Sequence, residues 1–254
     1  MFRRTTAILE ARKSCTFALS SFVAFLRHPR LDQNIDTGTL SRNALSFWLL
    51  VFSFAVTAIF ALLALPLIVS SSVSPADNLR HVFGQSALSV IVMVVILGPL
   101  IEEMMFRGWL TGTIQALAGS AVFLAIVFGG SWLVRYLLPD APVLGGQAGV
   151  AALGLLAFFA IQRKEVEVHP AWYKRAFPIA FWSQGIAFGG LHFANLATNS
   201  LILSLFAVLP LVICGWLWGY ARIVLGFGTA WMLHMAYNVP AALATMAVIA
   251  LRPT

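Results

Sequence analysis

Long apolar runs separated by short polar segments form the dominant pattern of this chain. A membrane-spanning helix needs about 20 mostly apolar residues, and on that template the pattern predicts about seven spans. Their predicted ranges are 44–71, 84–105, 119–138, 145–162, 177–197, 200–221 and 227–250. The count is seven or eight, and a missed or re-entrant segment would change the side of the membrane on which the carboxyl terminus is expected. The predicted fold class is therefore all-α, a polytopic transmembrane helical bundle.

The amino-terminal segment has a different character. Residues Cys15 to Leu26 form a shorter apolar stretch between basic residues, and Arg27-His28-Pro29-Arg30 follows it instead of a small-residue cleavage site. We expect an amphipathic helix lying on the inner leaflet, with basic residues near anionic lipid. The chain thus divides into a basic cytoplasmic or interfacial segment, 1–43, and a transmembrane helical domain, 44–254.

Composition and charge agree with a membrane protein. Of 254 residues, 60% are hydrophobic and 10% charged, and the mean hydropathy is +0.90, whereas a soluble protein carries about 25% charged residues. The net charge of +7 does not indicate nucleic acid, because the basic residues are scattered at segment ends. Their bias places the amino terminus in the cytoplasm. The basic, alanine-rich composition suggests a multi-pass protein of a bacterial inner membrane, and the two cysteines have no spacing typical of a disulfide framework.

Five of the ionisable or amide side chains inside or at the ends of these apolar segments are candidates for chemistry. They are Glu102, Glu103, His192, His234 and Asn238. An ionisable group in a membrane segment costs at least about 2.5 kcal/mol and usually faces a bundle interior or a wet cavity. These residues are therefore the candidate chemistry of the chain.

The two adjacent glutamates are predicted to have different roles. Neighbouring helical residues point about 100° apart, so both carboxylates cannot face one cavity squarely. Glu103 precedes Arg107 by four residues, the favourable order for an ion pair within a helix. Glu103 and Arg107 are thus expected to support the site, and Glu102 is left for chemistry. The alternative is that both carboxylates are hydrated at the membrane interface.

The remaining polar residues lie on two other segments. Small residues before His192 favour close helix packing around its imidazole, and Phe188, one turn earlier, is expected to form a wall beside the site. His234 and Asn238 share one helical face at four-residue spacing. The alternative for this pair is a polar clamp between helices.

These side chains allow two hydrolytic mechanisms. In the first, candidate ligands Glu102, His192, His234 and Asn238 bind zinc or a similar divalent ion, which activates water. In the second, Glu102 is the general base, His192 helps to hold the attacking water, and His234 with Asn238 polarises the scissile carbonyl. The sequence does not decide between them.

Three motifs carry a family resemblance. Glu102-Glu103-Met-Met-Phe106-Arg107-Gly108, Phe188-Gly-Gly-Leu-His192 and His234-Met-Ala-Tyr-Asn238, in that order, resemble the motifs of the CPBP intramembrane proteases, which include the CAAX prenyl endopeptidases. The resemblance covers about residues 84–245. It implies that Glu102 and His192 activate water, that His234 and Asn238 bind metal or stabilise the oxyanion, and that the cavity opens towards the cytoplasm or inner leaflet.

The predicted function is an intramembrane endopeptidase, a metalloprotease with zinc as the expected cofactor. Its expected partners are the lipid bilayer and a membrane-associated peptide or protein substrate. Two other classes remain open. Carboxylate and histidine relays also occur in proton-coupled transporters, although no internal repeat is evident. A noncatalytic membrane scaffold could keep the same fold.

Overall fold

The computed structural model describes residues 2–31, 40–70, 91–138, 143–163, 168–196 and 200–250. Eight α-helices occur in these ranges, and no strand does. They are α1 (Phe2–Arg27), α2 (Arg42–Ser70), α3 (Gly98–Arg107), α4 (Ile114–Leu137), α5 (Val143–Gln162), α6 (Ala171–Leu191), α7 (Leu201–Val224) and α8 (Phe227–Ala250). A π-helix, Ile91–Leu97, runs directly into α3, and a 3₁₀ turn, His192–Asn195, follows α6. The predicted helical bundle is confirmed.

Each predicted span has a helical counterpart, although residues 84–90 of the second lie outside the described chain. Three helices of the described part are long and apolar enough to cross a membrane: Arg42–Val69, Ile114–Leu137 and Leu201–Val224. Two turn-rich sequence segments, 70–75 and 139–146, and the charged segment 163–170 lie only partly within the described residues. In the second of them, residues 143–146 form the start of α5 and not a turn.

The predicted span 177–197 is displaced along the chain. The helix begins at Ala171 and ends at Leu191. Its first turns contain Lys174 and Arg175, whose long side chains tolerate a helix end because their charged heads can extend into water. His192 consequently lies just after the helix and not deep within it.

The amino-terminal helix packs against the bundle. It covers Phe2–Arg27, more than the predicted stretch 15–26. Ala18, Phe22 and Phe25 lie on one face of it and are buried in the main hydrophobic core. The ring of Phe25 lies 4.9 Å from that of Phe181 and 5.1 Å from that of Tyr220. The position of this helix on the inner leaflet stays a prediction.

Helices α7 and α8 are consecutive in the chain, and α8 contains the candidate residues His234 and Asn238. Only Leu225 and Gly226 separate the two helices. Gly226 has a φ of 92°, a conformation that glycine adopts without steric cost, and its N–H donates to the Ala221 carbonyl. The chain therefore reverses within two residues, and α8 returns along α7.

Candidate active site

The first motif lies on the short helix α3. Glu103 and Arg107, one turn apart, form an ion pair in which both side chains are fully buried. The ion pair predicted from their spacing is thus present. The Arg107 guanidinium also lies over two aromatic rings, 4.5 Å from the centroid of Phe188 and 5.5 Å from that of Trp218. A buried charge needs such compensation, since it has lost its hydration.

Glu103 makes a second contact, across to α8. Its Oε1 is 3.0 Å from Nδ1 of His234, and His234 is only 2% exposed. Because an ionised carboxylate only accepts hydrogen bonds, Nδ1 carries the hydrogen in this contact. Glu103 therefore orients the imidazole as well as neutralising Arg107.

Glu102 lies on the open side of the same imidazole. Its Oε2 is 3.5 Å from His234 Nε2, and its side chain keeps 27% of its surface exposed. The two glutamates point in different directions on α3, yet both reach His234 because the two ring nitrogens also point in different directions. The His234 imidazole therefore has the enclosed carboxylate of Glu103 at one edge and the accessible carboxylate of Glu102 at the other.

His192 occupies the start of the 3₁₀ turn after α6. Its Nδ1 lies 2.8 Å from the carbonyl oxygen of Phe188. Since a carbonyl only accepts, Nδ1 donates and Nε2 is left with a free lone pair. The Phe188 ring contacts both imidazoles, with its centroid 5.0 Å from that of His192 and 5.5 Å from that of His234. Phe188 is thus the wall shared by the two histidines, as its position in the motif predicted.

Asn238 makes a hydrogen bond between helices, the contact expected from the polar-clamp alternative. Its amide nitrogen donates to the Val94 carbonyl of the π-helix at 2.9 Å. Trp231, earlier on α8, donates in the same way to the Ile96 carbonyl at 3.3 Å. These bonds hold α8 beside the segment that leads into Glu102. The Asn238 amide retains a second hydrogen and its oxygen for other partners.

Sequence reasoning did not single out the aromatic and hydroxyl groups behind His234. The Trp218 ring stacks on the His234 ring at 4.2 Å, and Trp218 Nε1 donates to Ser53 Oγ at 3.2 Å. Tyr237 hydrogen-bonds Thr57 at 2.6 Å between their oxygens. In an apolar helix these residues resemble ordinary core. The sequence offers only one weak signal for these residues, which is that a buried indole N–H or phenol O–H needs a hydrogen-bond partner.

The expected zinc ligands are only partly brought together. Glu102 and the Nε2 edge of His234 converge, whereas among the described residues no group of three or more His, Cys, Asp or Glu side chains is arranged to hold a metal ion. A catalytic zinc takes three protein ligands and keeps a fourth position for water. As arranged, the side chains therefore do not fit zinc, and zinc dependence stays a prediction from the sequence.

Comparison with known proteins gives one match. Residues 84–172 match the family model described as type II CAAX prenyl endopeptidase Rce1-like. No curated protein and no solved structure matches. The matched range contains the Glu102-Glu103 motif, and the two histidines and Asn238 lie beyond it. The match confirms the predicted resemblance to the CAAX protease family and supports an endopeptidase in a membrane.

Proposed function

We propose that this chain, whose residues 84–172 match the Rce1-like family model, is an intramembrane endopeptidase that hydrolyses a peptide bond of a membrane-associated peptide or protein. The observation that carries the proposal is the geometry at His234, whose two nitrogens face Glu103 at 3.0 Å and Glu102 at 3.5 Å. A buried carboxylate that fixes an imidazole beside an accessible carboxylate is an arrangement suited to general acid and base catalysis.

Glu102 acts as the general base. It removes a proton from a water molecule as the water oxygen attacks the scissile carbonyl carbon, and the carbonyl electrons move to the oxygen. His192 Nε2, the nitrogen left free by the Phe188 contact, accepts the other hydrogen of the water and holds it for attack. Removing such a base lowers rates by about 10² to 10⁴.

His234 and Asn238 stabilise the charge that develops on the oxyanion. The proton taken by Glu102 passes to His234 Nε2, 3.5 Å away, and Glu103 stabilises the imidazolium that results. We assign stabilisation of the oxyanion to the positive charge of this imidazolium and to the second amide hydrogen of Asn238. When the carbon–nitrogen bond breaks, the proton returns through Glu102 to the leaving amine.

The mechanism uses only side chains and water. In the metal mechanism predicted from the sequence, His192 or Asn238 would join Glu102 and His234 as a further ligand. A bound zinc would supply Lewis acidity to the water. The side-chain arrangement in the structure supports the metal-free alternative, and metal removal discriminates between the two.

The test is peptide cleavage by purified protein in nanodiscs. A library of membrane-associated peptides is incubated in water enriched in ¹⁸O, and the products are identified by mass spectrometry. The proposal expects a new carboxyl terminus that contains one ¹⁸O atom, formed by the parent and not by Glu102→Gln. Absence of cleavage across the library, together with proton flux in liposomes, would favour the transporter alternative.

A further inference from the structure

Trp218 lies directly against the imidazole at the centre of the site. The ring centroids of Trp218 and His234 are 4.2 Å apart and the planes differ by 26°, a stacked geometry. Trp218 is fully buried on α7, and His234 is on α8. The contact therefore covers one face of the imidazole with a rigid indole.

The stacking contact restricts a tilt of the His234 ring that the hydrogen bond to Glu103 alone does not prevent. A single bond at Nδ1 fixes one edge of the ring but allows the ring to tilt about that bond. An aromatic neighbour in parallel contact opposes tilting out of the plane. With both constraints in place, Nε2 stays directed at Glu102, 3.5 Å away.

The indole is itself held by other helices. Its Nε1 donates to Ser53 Oγ at 3.2 Å, and Ser53, fully buried on α2, donates to the Leu49 carbonyl at 2.9 Å. The ring of Phe188 meets the indole edge-on at 5.6 Å. Ser53, Trp218 and His234 thus form a continuous series of contacts from α2 through α7 to α8.

We infer that Trp218 is a positioning residue for the proposed hydrolysis, acting through His234, and that Ser53 fixes the indole in its orientation. The inference rests on the proposed function. In physical terms, the face of the Trp218 indole keeps Nε2 of His234 directed at the Glu102 carboxylate. Position errors of about 1 Å at a reacting group lower rates by roughly a hundredfold.

Three substitutions separate the contacts. Trp218→Leu removes the aromatic face, and Trp218→Phe keeps an aromatic face but removes the N–H donor. Ser53→Ala removes the acceptor of that N–H together with the hydroxyl's own bond to the Leu49 carbonyl. Trp216→Phe is the matched control. Trp216 is also on α7 and also donates its indole N–H, to the Trp182 carbonyl at 3.0 Å, but its ring packs on Trp182 at 4.7 Å and not on His234.

Kinetics and NMR of the full chain in nanodiscs provide the readouts. For a cleaved peptide, we expect Trp218→Leu to lower kcat by about ten- to a hundredfold with KM near the parental value, and Trp218→Phe and Ser53→Ala to show smaller losses. Trp216→Phe should match the parent. In histidine-labelled protein, assigned with His234→Gln, Trp218→Leu should move the His234 ring-proton signal downfield, because the ring current of the stacked indole is lost.

The NMR signal does not depend on turnover, so the two proposals can fail separately. A parent protein without peptidase activity contradicts the proposed function. A parental His234 ring-proton signal without the upfield shift caused by a stacked indole contradicts the contact between Trp218 and His234. An active Trp218→Leu variant with parental kcat overturns the positioning role. If Trp218→Leu does not fold, Trp218→Met decides, since it also removes the aromatic face; a folded Trp218→Met variant with parental kcat would overturn the positioning role. If Ser53→Ala has the parental kcat and the parental His234 signal, Ser53 does not fix the orientation of the Trp218 indole.

Discussion

The carboxylate of Glu103 lies 3.0 Å from Nδ1 of His234 and also pairs with Arg107, so that one buried carboxylate joins α3 to α8. Both partners of Glu103 depend on its charge. The guanidinium is fully buried, and the imidazole takes its orientation from the hydrogen bond. Glu103 therefore contributes to folding and to the geometry of the site together.

Replacing Glu103 by Gln should destabilise the protein strongly. The substitution leaves the buried Arg107 guanidinium without its counter-charge, and breaking such a pair costs about 3 to 5 kcal/mol. Thermal unfolding in detergent, followed by circular dichroism, measures the loss.

The double variant Glu103→Gln with Arg107→Met is the control. Removal of the unpaired charge should recover most of the lost stability, whereas peptidase activity should stay low because His234 still lacks its carboxylate partner. A Glu103→Gln protein that is as stable as the parent but inactive would require the roles of the two glutamates to be reversed.

Contacts within one helix could be predicted from the sequence, and contacts between helices could not. The Glu103–Arg107 pair follows from a spacing of four residues, and the shared face of His234 and Asn238 follows in the same way. The contact between Glu103 and His234 depends on how α3 and α8 pack, which periodicity does not determine. The stack of Trp218 on His234 is hidden for the same reason.

The ends of the helices could not be predicted from the hydrophobic pattern either. The polar start of α6 resembled a loop, and the turn at His192 resembled the continuation of an apolar helix. The π-helix at Ile91–Leu97 lies inside a uniformly apolar run, so the sequence has no visible signal for its altered hydrogen bonding. Its carbonyls nevertheless accept the bonds from Trp231 and Asn238 that fix α8 beside the glutamates.

Two neighbouring glycines of the second motif should respond differently to alanine. A methyl group on Gly189 would lie 2.9 Å from the Val212 nitrogen and 3.2 Å from the Val208 carbonyl oxygen, where backbone atoms of α7 cannot yield easily. Overpacking of this kind costs about 1 to 3 kcal/mol, so Gly189→Ala should lower the unfolding temperature.

Gly190→Ala is the matched control for this substitution. A methyl group there meets open space. Gly190 lies in the last turn of α6, where alanine is favoured over glycine by less than the roughly 0.5 to 1 kcal/mol of a helix interior, so Gly190→Ala should keep the unfolding temperature or raise it slightly. Equal unfolding temperatures for the two variants would contradict the close crossing of α6 and α7 at Gly189.

The amino-terminal helix should be part of the folded bundle. Phe25 is 5% exposed and its ring contacts Phe181 and Tyr220, so Phe25→Ala should destabilise the protein by about 3 to 5 kcal/mol. Leu19, on the same helix, is 47% exposed, and Leu19→Ala should have little effect on thermal unfolding. Similar small effects of both substitutions would show that the helix is not docked.

Metal removal tests the predicted zinc dependence against the side-chain mechanism. The arrangement of Glu102, His192 and His234 leads us to expect that peptide cleavage survives treatment with a chelator and is unchanged by added zinc. Metal content of the purified protein, measured by mass spectrometry, is the independent readout. Activity that disappears with the chelator and returns with zinc, but not with magnesium, would support the zinc mechanism and contradict the metal-free one.

Activation of water by Glu102 can be tested through the rate of peptide cleavage under single-turnover conditions. Parent and Glu102→Gln are compared in nanodiscs on one validated peptide, with thermal unfolding as the control for folding. We predict a folded variant whose cleavage rate is lower by at least about a hundredfold. A folded Glu102→Gln protein that cleaves the peptide at the parental rate would contradict it.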